Sequence, residues 1–297
     1  MKKQTWFAVL GVVMTTLGCT FSISSPETPT PPHVDEVATV VTTVTTTLQA
    51  LTATPSESVS TEAATQAGGT PISFENVSFS VPAGLADSAN TDKMTAVESN
   101  SAAPWDIAPT HLRFTLAGYP LQDKFHEPRI FVYPADEYAQ GNPAAAEQID
   151  RLKKILAGGT ILQETLPTVP SFNAASQIAA SIQTIPFQNG SGVRFLTQYA
   201  QYAAPINNRE LFYHFQGLTN DGQYYVIAIL PVTAPILAED EKVEATVPEG
   251  GVPIPADTGP NNVYYFSVTE KLNSLAPDAF TPSLNTLDAL IQSLAVT

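Results

Sequence analysis

The stretch Glu210–Leu230, ELFYHFQGLTNDGQYYVIAIL, reads as two strands separated by a short polar break. Both halves are rich in the aromatic and β-branched residues that suit a pleated, buried surface. Thr219-Asn220-Asp221-Gly222 predicts a tight hairpin, because Asp-Gly supplies the positive φ that a primed turn needs. Just upstream, Val193–Tyr202 (VRFLTQYAQY) reads as a further strand. The core is therefore expected to be an antiparallel meander.

Working outward, Phe74, Val77, Phe79 and Val81 alternate, and Pro82-Ala83-Gly84 end the run, so the domain opens on a strand near Ile72. Residues 85–109 lack a pattern and read as a loop carrying Trp105. His111–Ala117 (HLRFTLA), Arg129–Tyr133 (RIFVY) and Ile178–Thr184 are further strands. Asn142-Pro143 is a helix-start signal, with Ala145, Ile149, Leu152 and Leu156 on one face and Gly158-Gly159 as the stop. Residues 231–262 form a Pro/Gly-rich acidic loop, Val263–Val268 a short strand, and Ser283–Leu294 a terminal helix built on Leu284, Leu287, Leu290 and Leu294. The expected fold class is α+β, a mostly antiparallel sheet flanked by helices, in one globular domain over 71–297.

The N-terminal part has another composition. Lys2 and Lys3, the apolar run Phe7–Met14 and the compact residues Thr15–Gly18 follow the order of an export signal over 1–18. The run is far shorter than the ~20 residues that span a bilayer. Thr16-Leu17-Gly18-Cys19 resembles the bacterial lipobox, with Leu17 one place nearer the cysteine than that pattern prefers. The resemblance implies cleavage before Cys19 and a lipid on its thiol; two acyl chains anchor where one is marginal. Cys19 is the single cysteine, so it also excludes a disulfide framework.

Residues 19–70 read as a disordered tether. Residues 20–70 contain 14 threonines and no Lys or Arg, and cannot bury enough apolar area to offset ordering entropy. As a flexible coil the segment spans roughly 40 Å. Val34, Val37, Val41, Val44, Leu48 and Leu51 keep heptad spacing, so a short helix over 34–51 is also considered. The formal charge of the whole chain is −15. That argues against nucleic acid and anionic surfaces as partners and suits basic ligands or divalent cations.

The order FENVSFSVPAGL (Phe74–Leu85), strands, helix, a meander ending in YYVIAILP (Tyr224–Pro231) and a final helix resembles the PsbP-like α/β/α fold, carried by many bacterial lipoproteins. The chain as a whole is similar to uncharacterised bacterial lipoproteins with a tether-plus-domain layout. The resemblance implies a noncatalytic binding or assembly module and carries over no catalytic residue.

Gly158-Gly159 and Gly250-Gly251 lack phosphate-loop spacing, and there is no GxSxG or HExxH. Asp123, His126 and Glu127, with His111 in reach, are the densest acid/imidazole cluster and define the alternative reading, a hydrolase or metal site. Solvated charges on a strand connection explain the same spacing. Glu239, Asp240, Glu241, Glu244, Glu249 and Asp257 are oxygen-rich, but lack the alternation of a calcium loop. His214 is expected to face solvent or a polar neighbour. The aromatics Tyr199, Tyr202, Phe212, Tyr213, Phe215, Tyr224, Tyr225, Tyr264 and Tyr265 are expected mainly in the core, with any on the outer sheet face forming an interaction patch. No catalytic, cofactor-binding or metal-ligating set is assigned. The preferred function is a membrane-anchored extracytoplasmic lipoprotein, lipidated at Cys19, that binds an unidentified protein, glycan or small ligand.

Overall fold

A computed structural model describes residues 69–98, 102–242, 244–256 and 263–297. The signal segment 1–18, Cys19, the 34–51 heptads, nearly all of the 19–70 tether and Asp257 lie outside them.

In chain order the elements are β1 (Thr70–Phe74), β2 (Val77–Val81), β3 (Ser88–Met94), β4 (His111–Ala117), β5 (Arg129–Pro134), α1 (Ala135–Gly141) and α2 (Pro143–Leu156). They continue as β6 (Ala175–Ser176), β7 (Ala180–Phe187), β8 (Gly190–Thr197), β9 (Tyr199–Ala200), β10 (Phe212–Thr219) and β11 (Tyr224–Pro231). α3 (Val263–Ser274), α4 (Leu284–Gln292) and β12 (Ala295–Val296) complete the chain. Seven strands form one antiparallel sheet in the order β3-β4-β5-β11-β10-β8-β7.

The quoted stretch forms its centre. β10 and β11 pair from Phe212↔Pro231 to Leu218↔Tyr225 and are buried on both faces. Their connection differs from the expected primed turn. It is a four-residue loop in which only Gly222 has positive φ, at 72°. The Asp221 carboxylate holds it, accepting from Thr219 Oγ1 at 2.6 Å and from Gln223 N at 3.0 Å.

Alternation along the strands sorts two cores. Val193, Phe195, Phe212, Leu218, Tyr225, Ile227 and Ile229 point to the face covered by α1 and α2. Leu196, Tyr213, Phe215, Val226, Ala228 and Leu230 point to the other. β4, toward the edge, keeps a one-sided pattern with Leu112, Phe114 and Leu116 buried on this second face.

The expected PsbP-like, helix-flanked sandwich is not what forms. Among the described residues the fold is mostly sheet, with three sheets and four short helices. The opening strands fold on each other across Glu75-Asn76 instead of entering the main sheet, and with β12 they make a second sheet, β1-β2-β12. Phe79 meets Phe114 edge-on at 5.2 Å, so sheet covers part of the second face where helix was expected.

Val263–Val268 is helical, because Tyr264, Tyr265, Val268 and Leu272 are buried at helical spacing despite their strand propensity. β3, in the segment read as loop, is a polar edge strand, SANTDKM. β7 continues through Pro186, which an edge strand tolerates. Asn142 does cap α2 as expected, accepting from Ala144 N at 2.9 Å and Ala145 N at 3.2 Å. Among the described residues no helix is long and apolar enough to cross a membrane.

α4 is fastened to the sheet by charge as well as by its leucines. Asp288 accepts from Arg194 Nε of β8 at 3.2 Å and from the Tyr213 hydroxyl of β10 at 2.9 Å. Arg194 is 4% exposed and Asp288 9%, so each charge depends on the other. Asp288→Ala leaves a buried guanidinium without its counter-ion and should cost about 3–5 kcal/mol of folding stability. The surface pair Glu147–Arg151 provides the control: Glu147→Ala should cost less than about 1 kcal/mol. Urea denaturation of both variants checks the contrast.

Candidate functional site

A cleft of about 580 Å³ opens at one end of the main sheet. Trp105, Phe125, His126, Phe172, Tyr199 and Tyr202 line it, with Ser171, Asn173, Gln201 and Glu210 as polar members. Eight large hydrophobics are exposed among the described residues, and three of them, Trp105 (38%), Phe125 (61%) and Tyr202 (64%), belong to this cleft.

Five chain segments build it, each held by hydrogen bonds that the local sequence supplies. The Trp105 loop is clamped by Asn142: its side-chain amide donates to the carbonyls of Pro104 at 3.1 Å and Ile107 at 2.9 Å. The N-cap of α2 thus also fixes the loop on both sides of Trp105. Phe125 lies in the β4–β5 connection, whose backbone joins the turn before β10 through Phe125 N to Arg209 O at 2.9 Å. In that turn the buried Asn207 side chain accepts from Arg209 N at 3.0 Å and Glu210 N at 3.1 Å, which presents Glu210 to the cleft. Gln201 Nε2 donates to Asn173 O at 2.9 Å and ties the last two segments.

The aromatic rings pack as a unit. His126 stacks on Phe172 at 5.2 Å with an 8° interplanar angle, and meets Phe212 edge-on at 4.6 Å. Phe172 in turn stands edge-on to Tyr199 at 5.1 Å. Burial, with Arg129 nearby, pushes His126 down to about 4, so its ring is neutral near pH 7. Behind Phe212 and Tyr199, His214 is fully buried and pushed by burial to about 3. Its polar neighbour is Gln216, 2.9 Å from Nε2, while its Nδ1 has no partner among the described residues.

Glu210 is half-buried and its pKa is raised, first by burial and then by repulsion from Glu241, with Arg209 partly opposing. Arg209 approaches Glu241 Oε1 at 3.4 Å, and Glu241 Oε2 is buried without a partner among the described residues.

The residues singled out from sequence are divided by this geometry. His111 opens β4, whereas Asp123, His126 and Glu127 follow its end, roughly 20 Å away at strand rise. His111 lies instead in a separate depression with Glu75, Lys93, Glu137 and Tyr224, stacked on Tyr133 at 4.4 Å. Glu127 pairs with Arg129, and Asp123 is exposed in the left-handed region at φ 56°. His111 is therefore separated, whereas Asp123, His126 and Glu127 border one shallow depression of about 250 Å³, and His126 also enters the cleft through its ring stacking.

In the acidic loop Glu239 pairs with Lys124 at 2.9 Å and Asp240 with Lys242 at 2.5 Å, while Glu244 and Glu249 are exposed. Among the described residues no group of three or more His, Cys, Asp or Glu is placed to hold a metal ion. Of the exposed aromatics among the described residues, Trp105, Phe125 and Tyr202 lie on loops around the sheet end and Phe266 on α3, not on the outer sheet face. Their signal was local: isolated aromatics beside polar residues in Phe125-His126, Ser171-Phe172-Asn173 and Gln201-Tyr202. Compared with known protein families, curated proteins and solved structures, the chain matches none.

The two buried imidazoles set a pH dependence with a definite sign. Unfolded histidine takes its proton near 6.5, whereas these two take theirs near 4 and 3. Above pH 6.5 neither state holds the proton and the contribution to stability is complete. As pH falls below 6.5 the unfolded chain binds more protons, and stability declines until each folded pKa is passed. Each ring contributes a slope of up to about 1.4 kcal/mol per pH unit inside its window. His126→Phe, which keeps the stacking, should therefore flatten the decline between pH 6 and pH 4 relative to the parent chain, as measured by urea unfolding across that range.

Proposed function

We propose that this chain is a lipid-anchored extracytoplasmic binding module that takes a ligand in the Trp105–Phe125–Tyr202 cleft. The observation that carries the reading is the aromatic cleft itself. Monomeric proteins rarely expose large apolar groups together, and a concave, mostly apolar site with a few placed polar groups is the common form of a ligand site. Its rings stand on loops whose backbone is fixed by Asn142, Asn207 and Gln201, so binding carries little ordering cost. The polar members Ser171, Asn173, Gln201 and Glu210 can orient a ligand.

The anchoring part of the reading rests on the lysines, apolar run and lipobox-like residues that precede Cys19. A 19–70 tether then holds the domain away from the membrane, where an acidic chain avoids anionic lipid. Labelled palmitate fed to the native host should enter the protein and be lost in Cys19→Ala, with the variant released from the membrane fraction. Unchanged labelling and fractionation in Cys19→Ala overturn the anchor.

A further inference from the structure

Resting on the reading of this cleft as the binding site, we infer that its ligand is an organic cation, an ammonium head group seated against the aromatic faces and paired with Glu210. The charge that lines the cleft is negative, while Arg129, near His126, pairs with Glu127. His126 is neutral near pH 7, and Ser171, Asn173 and Gln201 are uncharged. Glu210 is the one lining residue that carries a charge, and no Lys or Arg lines the cleft. Its nearest basic neighbour, Arg209, has its guanidinium at Glu241. Lys242, the other base of that loop, is held by Asp240.

Glu210 therefore has a half-buried carboxylate with no hydrogen bond or ion pair among the described residues, and a second acid, Glu241, beside it with one buried oxygen unpartnered. Such a group costs free energy in the empty cleft and is relieved by a cation. The rings decide which kind. A divalent metal asks for six or more oxygens, and one carboxylate among aromatics does not supply them. A weakly hydrated alkylammonium is attracted by the negative faces of Trp, Tyr and Phe, which is how aromatic cages select quaternary ammonium groups. The charge of −15 over the whole chain raises the local concentration of cations further.

The test is calorimetric titration of the full chain with choline, with its neutral carbon isostere 3,3-dimethylbutan-1-ol, and with a neutral chito-oligosaccharide. Choline should bind saturably, and the neutral isostere about tenfold or more weakly. Glu210→Gln and Trp105→Ala should each weaken choline binding about tenfold. Asn142→Asp keeps the α2 cap but removes both donors to the Trp105 loop. With a carboxylate then facing those two carbonyls, it should weaken binding and lower the melting temperature together.

Absence of saturable choline heat overturns the cation. So does binding of the isostere or the oligosaccharide with full affinity in Glu210→Gln. If that neutral binding is lost in Phe125→Ala and Tyr202→Ala, the cleft survives as a binding site with another ligand. If no probe binds, or binding is unchanged in every cleft variant, the cleft reading itself fails.

Discussion

The fold depends on a charge placed where charge is expensive. Arg194 stands on a strand whose neighbours Val193, Phe195 and Leu196 are all core residues, and its one counter-ion among the described residues is Asp288 on the C-terminal helix. Taking both ions out of water is repaid only if the geometry is right. The remaining donors of Arg194 go to Gln183 Oε1 at 2.8 Å and to the Ser181 carbonyl, both on β7, and Tyr213 completes the set from β10. Three strands and a helix are thus locked in one register. A helix slipped by a turn would still offer leucines to the sheet, but it would leave Arg194 unpaired. Leucine packing supplies the adhesion and the ion pair selects the position.

Other parts follow from that docking. β12 leaves the end of α4 and pairs with β2, so the position of α4 determines whether the second sheet is completed. Ser293 sits at the junction, accepting from Ser80 N at 2.9 Å. Asn189, in the β7–β8 turn, bonds the backbone of Val296 at both its N–H and its carbonyl. On the opposite face, Gln216 donates to Thr168 O at 2.8 Å and accepts from the Tyr225 hydroxyl, holding the segment that leads to Phe172. The cleft is consequently a set of short loops standing on a sheet whose two faces are both tied down. This is the rigid support that a preformed site requires.

Legibility in the sequence followed burial. β10, β11 and α2 were readable because their side chains are selected by one neighbour type along their whole length, and Asn142-Pro143 gave α2 a start signal with a mechanism. β3 was not, because SANTDKM is an edge strand held by backbone pairing to β4 and carries no apolar alternation. α3 was misread because Val, Tyr, Tyr, Phe and Val favour strands locally, and the helix is decided by where the sheet leaves a groove for Tyr264, Tyr265, Val268 and Leu272. The layer arrangement failed for a related reason. Nothing in FENVSFSV says whether its strands join the main sheet or each other. The cleft was legible only in parts: Trp105 and Tyr202 were visible as aromatics, but loops from five places in the chain have no period to connect them. His111, Asp123, His126 and Glu127 illustrate the converse, since nearness in sequence across a seven-residue strand separated His111 from the rest.

The chain has two tryptophans, Trp6 and Trp105, so the Trp6→Phe variant of the full chain leaves Trp105 of the cleft as the one emitter. The most direct measurement is the emission of Trp105 in that variant during titration with choline. A saturable change in intensity or wavelength, lost when Glu210→Gln is added, is the predicted result. Emission that stays constant while calorimetry records binding would place the ligand elsewhere and contradict the cleft as its site.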